Sequence, residues 1–430
     1  MNKEKYNKIH SCLKNIIAGT KWNGHLFAVG GCCRDYLSNR EIKDIDLVVD
    51  LPNGGIEFAE WLEKNGFTKG SVVTYPHFGT AMFHLKEFPD IELEAVQTRK
   101  EAYRDMETRN PETAFGTIND DCTRRDFTYN AIYHQINEFG GFCDYNGNSL
   151  KDLKNNVLRT CGEPDVIFTE DPLRILRAIR FATRFNSTIE EKTFEGMKRN
   201  VDRLEIISKE RIQDEFSKMI TSDNPEFAIR LLFEIGAYKY VFDKLWFESE
   251  SEYLAKSIPA SFERLKAQKD AEHNNLEINL AIVYAQLPDV VNRMKYLKFS
   301  NDVIEKVGFY LEVFDMIHFT EFTPASVRKV QYLAKSYDNL FNACTVFVSV
   351  MNRKGDSERA EKIINMTKKM IEKDQAMFGY KLPVDGNDVM EILSINPSEK
   401  VKRYLNLLMD MAYVNPFITK KECETILKCN

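Results

Sequence analysis

The chain has 430 residues, a formal net charge of −6, and 43% hydrophobic against 29% charged residues. This length exceeds what one hydrophobic core supports, so two to four globular domains are expected, and the composition excludes a disordered chain. The negative net charge also excludes a protein coated in basic surface, so any nucleic-acid site must concentrate its positive charge locally.

The N-terminal segment and the cysteines indicate the compartment. Residues 1–24 have the spacing of an amphipathic opening helix and lack the apolar region of a signal peptide. No apolar run in the sequence approaches the roughly 20 residues of a membrane span. The nine cysteines contain no Cys-x-x-Cys pair and are most simply reduced thiols. We therefore expect a cytoplasmic protein without a membrane partner.

A short apolar strand, a two-glycine turn and a helix follow the opening helix. The strand is predicted over Leu26–Val29, the turn is Gly30 and Gly31, and the helix opens at about Cys32. Glycines can adopt backbone angles that other residues avoid, and amide groups at a helix N-terminus suit a phosphate. The pattern is compatible with a phosphate-binding turn, although most glycine pairs are simply turns.

Carboxylates accompany this turn. Asp44 and Asp46 lie two residues apart at the predicted strand Ile45–Val49, so both point to one face. A third carboxylate is available on a further predicted strand, over residues 91–96, where Glu92 and Glu94 also share one face. Clustered carboxylates repel one another, and the usual remedy is a hard divalent cation such as Mg²⁺. A phosphate turn with a carboxylate cluster indicates metal-assisted nucleotidyl transfer, and the alternative is a solvated strand face.

Mixed helix and strand signals extend to about residue 136. Further strands are predicted over residues 80–85 and 131–136, with a helix over 55–65, which gives a small sheet covered by helices on one side. Residues 99–119 are polar and charged, and we interpret them as a loop, either a mobile flap beside the site or a plain solvated excursion.

The next motif is Arg124-Arg125-Asp126, with Asn130 close behind. Guanidinium groups bind phosphate oxygens in a planar fork, and a carboxylate accepts a hydrogen bond from a ribose hydroxyl. The motif therefore suits a nucleoside triphosphate. A surface cluster of ion pairs explains it equally well.

Helical patterns dominate from residue 150 onward. The first long helix is predicted over residues 170–185, with Asp171 as N-cap and Pro172 in the first turn. Its arginines fall on one stripe of about 120°, and they are Arg174, Arg177, Arg180 and Arg184. The stripe suits recognition of phosphates or base edges, and the alternative is a solvated basic face.

Later helices carry no catalytic pattern. In the helix around residues 210–216, the i, i+4 spacing predicts a structural pairing of Arg211 with Glu215. Further amphipathic helices are predicted over residues 227–242, 255–267, 276–294, 302–318, 326–350, 358–377, 399–411 and 419–427.

The motifs form an ordered set that resembles the class II tRNA nucleotidyltransferases, with their poly(A) polymerase relatives. The set consists of Gly-Gly-x-x-Arg-Asp at 30–35, Asp-x-Asp at 44–46, Arg-Arg-Asp-Phe-Thr-x-Asn-Ala at 124–131, Glu-Asp-x-x-Arg at 170–174 and Glu-Arg-Ile at 210–212. The resemblance covers residues 30–215 by motif, includes the segment after 382, and is thinner over residues 240–380.

The resemblance implies an α+β architecture in which a nucleotidyltransferase head with a small mixed sheet is followed by an all-helical remainder. The implied domains are a catalytic head at 1–148, a base-recognising neck at 149–222, a body at 223–320 and a tRNA-binding tail at 321–430.

The resemblance also implies roles for individual residues. Asp44 and Asp46 would bind metal, and Glu94 would be the third catalytic carboxylate. The nucleotide-binding residues would be Gly30, Gly31, Arg34, Arg124, Arg125, Asp126, Asn130, Asp171, Arg174, Arg177 and Arg180, among which Asp171 and Arg174 would read the base.

The implied activity is addition of CMP and AMP from CTP and ATP to the tRNA 3′ end, with two Mg²⁺ ions as cofactors. Open alternatives are an enzyme that adds only C or only A, a poly(A) polymerase, and a non-catalytic tRNA-binding protein. Longer relatives append a hydrolase module marked by His-Asp, and since no histidine here precedes an aspartate, we predict no such hydrolase activity.

Overall fold

The computed structural model describes residues 1–76, 79–102, 112–138, 140–242, 251–268, 270–319, 321–351 and 355–429. The chain divides into two compact units. Unit 1 comprises Met1–Met219 and Leu231–Val241, and unit 2 comprises Ile220–Arg230 and Phe242–Asn430. The finer division into head, neck, body and tail stays a prediction.

Unit 1 contains strands and helices. Its strands are β1 (Leu26–Val29), β2 (Ile45–Val49), β3 (Val73–Tyr75), β4 (Thr80–Leu85), β5 (Phe88–Gln97), β6 (Arg99–Ala102), β7 (Glu112–Phe115), β8 (Tyr133–Gln135), β9 (Phe142–Cys143), β10 (Val157–Leu158) and β11 (Thr188–Ile189). Its α-helices include α1 (Lys3–Ile17), α2 (Gly31–Leu37), α3 (Gly54–Lys64), α4 (Ile118–Thr123), α5 (Ser149–Asn155), α6 (Pro164–Glu170), α7 (Leu173–Phe185) and α8 (Glu191–Asn200). Two short 3₁₀ helices cover Thr128–Asn130 and Val201–Ile206.

Seven strands form one mixed sheet in the order β3-β4-β5-β2-β1-β8-β9. Strands β2 and β5 run parallel, and the other neighbours run antiparallel. This mixed sheet, followed by a mostly helical remainder, confirms the predicted α+β class. The strands predicted at β1, β2 and β4 are present with the predicted bounds.

Both faces of the sheet are covered, because alternate residues of a strand point to opposite sides. Leu26 and Ala28 join the larger core, to which α1 contributes Tyr6 and α3 contributes Phe58. Phe27 and its neighbours on the other face pack against a smaller cluster that includes Cys122 of α4 and Tyr133 of β8. The prediction of helices on one side only was therefore wrong.

The segment predicted as a loop contains two strands. Arg99–Ala102 pairs with Glu112–Phe115 as an antiparallel hairpin, in which Arg99 faces Phe115. Backbone hydrogen bonds between the two segments stabilise them as strands, although their hydrophilic sequence did not predict a strand. The flap was predicted over residues 99–119, of which residues 103–111 lie outside the described residues.

The predicted helix over 170–185 is in fact the end of one helix and the whole of another. Helix α6 ends at Glu170, Asp171 adopts an extended conformation, and α7 begins at Leu173. Pro172 lies at the junction, where its ring favours a helix start over the continuation of the preceding helix. A two-residue parallel pairing of β10 with β11 is the described exception to the helical character of this region.

The remaining helices belong to the end of unit 1 and to unit 2. They are α9 (Lys209–Ile220), α10 (Pro225–Glu234), α11 (Tyr238–Val241), α12 (Ser251–Ala267), α13 (Leu276–Tyr284), α14 (Val290–Tyr296), α15 (Asn301–Phe319), α16 (Pro324–Ala334), α17 (Tyr337–Val350), α18 (Asp356–Glu372), α19 (Gly386–Leu393), α20 (Glu399–Val414) and α21 (Lys420–Cys429). Within unit 2, α17 packs against α12, α13, α15, α16 and α18. A further core joins α19, α20 and α21.

Three of the long helices predicted here are each split in two. The breaks occur where single residues have left-handed backbone, namely Gly236 (φ 80°), Asp289 (φ 54°) and Lys335 (φ 58°). A residue in that conformation cannot continue a right-handed helix. Among the described residues, every helix is too short or too polar to cross a membrane.

Candidate active site

The glycine turn lies between β1 and α2, and its shape requires glycine. Gly30 has φ 78° and ψ −128°, a combination that residues with a Cβ rarely adopt. A Cβ at this position would lie 3.6 Å from Nη1 of Arg125 and 4.0 Å from Oδ2 of Asp46. The turn is therefore adjacent to one predicted arginine and one predicted carboxylate.

Two of the three predicted carboxylates are direct neighbours. Asp46 of β2 pairs with Glu94 of β5 in the parallel register, so their side chains leave the sheet on the same face. Asp46 also lies opposite Val29, the last strand residue before the glycine turn. Asp44 is exposed and precedes β2, so it does not lie on the strand where it was expected.

The negative charges of these carboxylates are only partly compensated by nearby arginines. Burial raises the pKa of Asp46 to about 6, and repulsion from Asp44 and Glu94 acts in the same direction, while Arg125 opposes it. Burial also raises the pKa of Glu94, with Asp44 adding to the effect and Arg99 opposing it. Such a group would gain from a bound cation, so the residues present fit a divalent metal.

The described residues do not form a complete metal site by themselves. Among them, no three carboxylate, imidazole or thiol groups converge closely enough to hold an ion. The pair formed by Asp46 and Glu94 has the chemistry of a metal site, but the metal-binding role of Asp44 and Asp46 stays a prediction.

Arg124 and Arg125 converge on a carboxylate, Asp121, that the sequence analysis did not single out. Asp121 of α4 is fully buried and accepts hydrogen bonds from Nη2 (2.5 Å) and Nε (3.0 Å) of Arg124. It also accepts from Nη2 (3.0 Å) and Nε (3.1 Å) of Arg125. The Arg-Arg-Asp motif is thus not an exposed ion-pair cluster. The spacing of Asp121, three and four residues before the arginines, was the available signal.

Asp126 is buried and fully engaged. Its Oδ2 accepts from Nη2 (2.7 Å) and Nε (3.0 Å) of Arg177, and its Oδ1 accepts from the amide of Asn130 (3.1 Å). Burial alone would raise its pKa, but these partners outweigh burial and lower the pKa to about 2. Asp126 is therefore ionised at neutral pH, which a ribose-binding acceptor requires.

Arg34 has a different environment from the one expected of a triphosphate ligand. It is 5% exposed, its Nε and Nη2 bind the carboxylate of Asp35 (2.8 and 2.9 Å), and its Nη1 donates to Oδ1 of Asn130 (2.6 Å). These bonds connect α2 to the 3₁₀ helix Thr128–Asn130. Contact of Arg34 with a nucleotide stays a prediction.

The arginine stripe of α7 is not a solvated basic face. Arg174 is 9% exposed and donates to the backbone oxygen of Arg124 (2.8 Å), while Arg180 donates to Oε2 of Glu215 (2.5 Å). Arg184 lies over the ring of Phe185. The stripe therefore faces protein groups of unit 1, and the alternative of a solvated face was wrong.

The expected pairing of Arg211 with Glu215 is not what these residues do. Arg211 donates to Oδ2 of Asp171 (3.2 Å), and Glu215 is engaged by α7. The prediction of Asp171 as N-cap was wrong, because Pro172 is the N-cap residue of α7; Asp171 precedes it, and its Oδ1 accepts from the backbone amide of Leu173 (3.2 Å). The predicted pair of Asp171 and Arg174 is joined by a backbone hydrogen bond of 2.9 Å, and each side chain has other partners.

Comparisons with known proteins agree with this architecture. The family model of the poly(A) polymerase head domain matches residues 26–159, which contain the glycine turn, the carboxylates and the buried arginines. A second model, described as the probable RNA and SrmB-binding site of polymerase A, matches residues 186–248.

Individual relatives extend the similarity over most of the chain. A tRNA nucleotidyltransferase of Schizosaccharomyces pombe is 25% identical, with 93% of this chain and 91% of the relative covered. A CCA-adding enzyme of Lactobacillus helveticus is 29% identical over 68% of each chain. The crystal structure of the Bacillus stearothermophilus CCA-adding enzyme in complex with CTP has the same fold, with a TM-score of 0.69, 20% identity, and 94% and 92% of the two chains covered. Residues 26–159 thus match the poly(A) polymerase head-domain family, and most of the chain is similar to tRNA nucleotidyltransferases and CCA-adding enzymes.

Proposed function

We propose that this protein adds CMP and AMP from CTP and ATP to the 3′ end of tRNA, without a nucleic-acid template, and so builds or repairs a CCA end. The observation that carries the proposal is the carboxylate pair of Asp46 and Glu94 beside the glycine turn and Arg125. The names of the relatives, a tRNA nucleotidyltransferase and a CCA-adding enzyme, support the choice of substrate.

The reaction is an in-line displacement, in which the terminal hydroxyl of the tRNA attacks the α-phosphate and pyrophosphate leaves. Asp44, Asp46 and Glu94 would hold Mg²⁺, of which two ions are expected. When bound, Mg²⁺ supplies a lower pKa for the attacking hydroxyl and neutralises charge on the triphosphate. Arg125 would bind the triphosphate, because its Nη1 lies against the glycine turn.

Base selection would fall to Asp171 and Arg174. A carboxylate only accepts hydrogen bonds and a guanidinium only donates them. Cytosine and adenine each present an exocyclic amine beside a ring-nitrogen acceptor, whereas guanine and uracil present the opposite order. A site with one acceptor and one donor would therefore favour CTP and ATP and reject GTP and UTP.

The test is incubation of the purified protein with tRNA that lacks its CCA end, CTP, ATP and Mg²⁺, followed by gel separation of the products. We expect extension by C, C and A, and loss of extension when EDTA is added. Extension by C alone, by A alone on a tRNA ending in CC, or by a long A ladder would assign the alternative enzymes.

A non-catalytic tRNA-binding protein predicts a different result. It would leave the tRNA unextended, and its affinity for CTP would not depend on Mg²⁺. Titration of Mg²⁺ against CTP binding therefore separates this alternative from an enzyme assayed with an unsuitable tRNA. Cytoplasmic location stays a prediction of the sequence.

A further inference from the structure

One buried carboxylate holds both arginines of the Arg-Arg-Asp motif. Asp121 accepts two hydrogen bonds from Arg124 and two from Arg125, and a fifth from the hydroxyl of Tyr133 (2.8 Å). That hydroxyl in turn accepts from Nε of Arg125 (3.1 Å). Asp121 and Tyr133 are both fully buried, so these bonds are shielded from water.

This arrangement leaves one nitrogen of Arg125 directed elsewhere. Its Nε and Nη2 bind Asp121, whereas its Nη1 has no hydrogen-bond acceptor among the described residues and lies 3.6 Å from the Cβ position of Gly30. The positive charge of Arg125 also reaches Asp46, whose carboxylate it stabilises. Nη1 is therefore a donor aimed at the space between the glycine turn and the carboxylates.

The other arginine held by Asp121, Arg124, extends this arrangement toward α7. Asp121 fixes the side chain of Arg124, and the backbone oxygen of Arg124 accepts from Nη2 of Arg174 (2.8 Å). A single carboxylate thus supports the segment that contacts both the glycine turn and the arginine expected to read the base.

The negative charge of Asp121 allows it to accept hydrogen bonds from both guanidinium groups. Burial alone would raise its pKa, but Arg125 and Arg124 outweigh burial and lower the pKa to about 2. The ionised carboxylate has no proton to donate and accepts along both oxygens. An amide at this position would offer one oxygen acceptor and turn an N–H group toward a guanidinium.

We propose that Asp121 is a positioning residue for nucleotide binding, which fixes the guanidinium of Arg125 so that Nη1 faces the triphosphate of an incoming nucleotide. Tyr133 completes this support from the neighbouring strand. The proposal rests on the proposed function, and it adds a residue that makes no contact with the nucleotide itself.

The test compares the affinities of the full-length protein for CTP and CMP by calorimetry. In Asp121→Asn, we expect the Kd of CTP to rise by about tenfold or more, because a charge-assisted contact to phosphate is lost, while the Kd of CMP changes by less than about twofold. Tyr133→Phe removes one hydroxyl and keeps the ring, so we expect the same selective change at a smaller size, with the fold intact.

Asp152→Asn is the matched control. Asp152 is also buried, and it accepts from Nε of Arg159 (2.9 Å) and the hydroxyl of Thr128 (2.8 Å). The variant therefore loses a comparable buried ion pair that involves neither Arg124 nor Arg125. We expect its ratio of CTP to CMP affinity to match the wild type.

Two results would overturn the proposal. One is an equal loss of CTP and CMP affinity in both Asp121→Asn and Tyr133→Phe, and the other is a selective loss of CTP affinity in Asp152→Asn. Failure of the proposed function would give a different result, namely a wild-type protein whose Kd values for CTP and CMP differ but which does not extend tRNA.

Discussion

Two groups of acidic residues in unit 1 have the same chemistry and opposite electrostatics. We name Asp46 and Glu94 the open carboxylates, and Asp121 and Asp126 the paired carboxylates. Burial raises the pKa in every case, and for the open carboxylates it prevails, with Asp46 at about 6. For the paired carboxylates, arginines outweigh burial and the pKa falls to about 2.

The difference separates two uses of a buried negative charge. The paired carboxylates form ion pairs inside the protein, and these ion pairs orient Arg124, Arg125 and Arg177. For the open carboxylates, the positive charges that oppose burial within the described part of the chain are those of Arg125 and Arg99, which is why we propose this pair as the site of a bound cation. The raised pKa values accompany the groups that we propose to bind a ligand, and the lowered pKa values accompany the groups that hold arginines in place.

The largest expected effect comes from Asp46→Asn. We expect incorporation of CMP to fall about 1,000-fold, because metal stabilisation worth several kcal/mol is lost. In metal-free buffer at pH 7.5, we expect the free energy of unfolding to rise by about 1 kcal/mol, since the raised pKa of Asp46 means that its ionised form opposes folding. Primer extension and urea denaturation measure the two quantities.

This opposite response of activity and stability is the sharpest form of the comparison. A variant that loses both activity and stability would place Asp46 with the paired carboxylates and contradict the distinction.

Asp126→Asn should destabilise the protein. We expect the free energy of unfolding to fall by about 2 kcal/mol, because the half-buried guanidinium of Arg177 loses its closest carboxylate. Asp165→Asn is the control, since Asp165 forms its ion pair with Arg199 at the surface, where such pairs contribute about 0 to 1 kcal/mol. Equal losses in the two variants would show that burial of the pair is not what matters.

Acid should unfold the wild-type protein through the paired carboxylates. Their folded pKa values lie below the ordinary value of 3.8, so their stabilisation is present above pH 4 and is lost as the pH falls toward 2. We expect each group to contribute about 2 kcal/mol over this window. Urea titrations at several pH values measure the slope.

The slope should be shallower in Asp126→Asn, which lacks one of the two titrating groups. An unchanged slope in that variant would mean that other carboxylates govern the acid transition.

The smallest expected effect is that of Gly30→Ala, which tests whether the open carboxylates and Arg125 line the same binding space. Gly30→Ala should reduce the free energy of unfolding by about 1 kcal/mol through backbone strain, and should weaken CTP binding because its methyl group lies against Nη1 of Arg125. Gly24→Ala is the control, because Gly24 also has positive φ (89°) but open space around its Cβ position. Similar stability losses with weaker CTP binding only in Gly30→Ala are the expected calorimetric result.

The fold of unit 1 was largely predictable from local patterns. Strands β1, β2 and β4 were recognisable because apolar and β-branched residues have no competing helical period there. The hairpin of β6 and β7 was not, since polar strands are specified by their pairing partners. The long helices of the second half were overextended, because one left-handed residue such as Lys335 leaves the apolar periodicity on either side unchanged.

The sequence by itself determined which chemical groups make up the candidate site, because motif spacing places Gly30, Asp46 and Arg125 in a recognisable order along the chain. The tertiary structure alone decided which charges are left open. Asp121 and Glu215 are ordinary acidic residues in the sequence, and only packing buries them against arginines 4 and 35 residues away. The physical reason is that a pKa depends on solvent exclusion and on every nearby charge, and both are properties of the assembled fold.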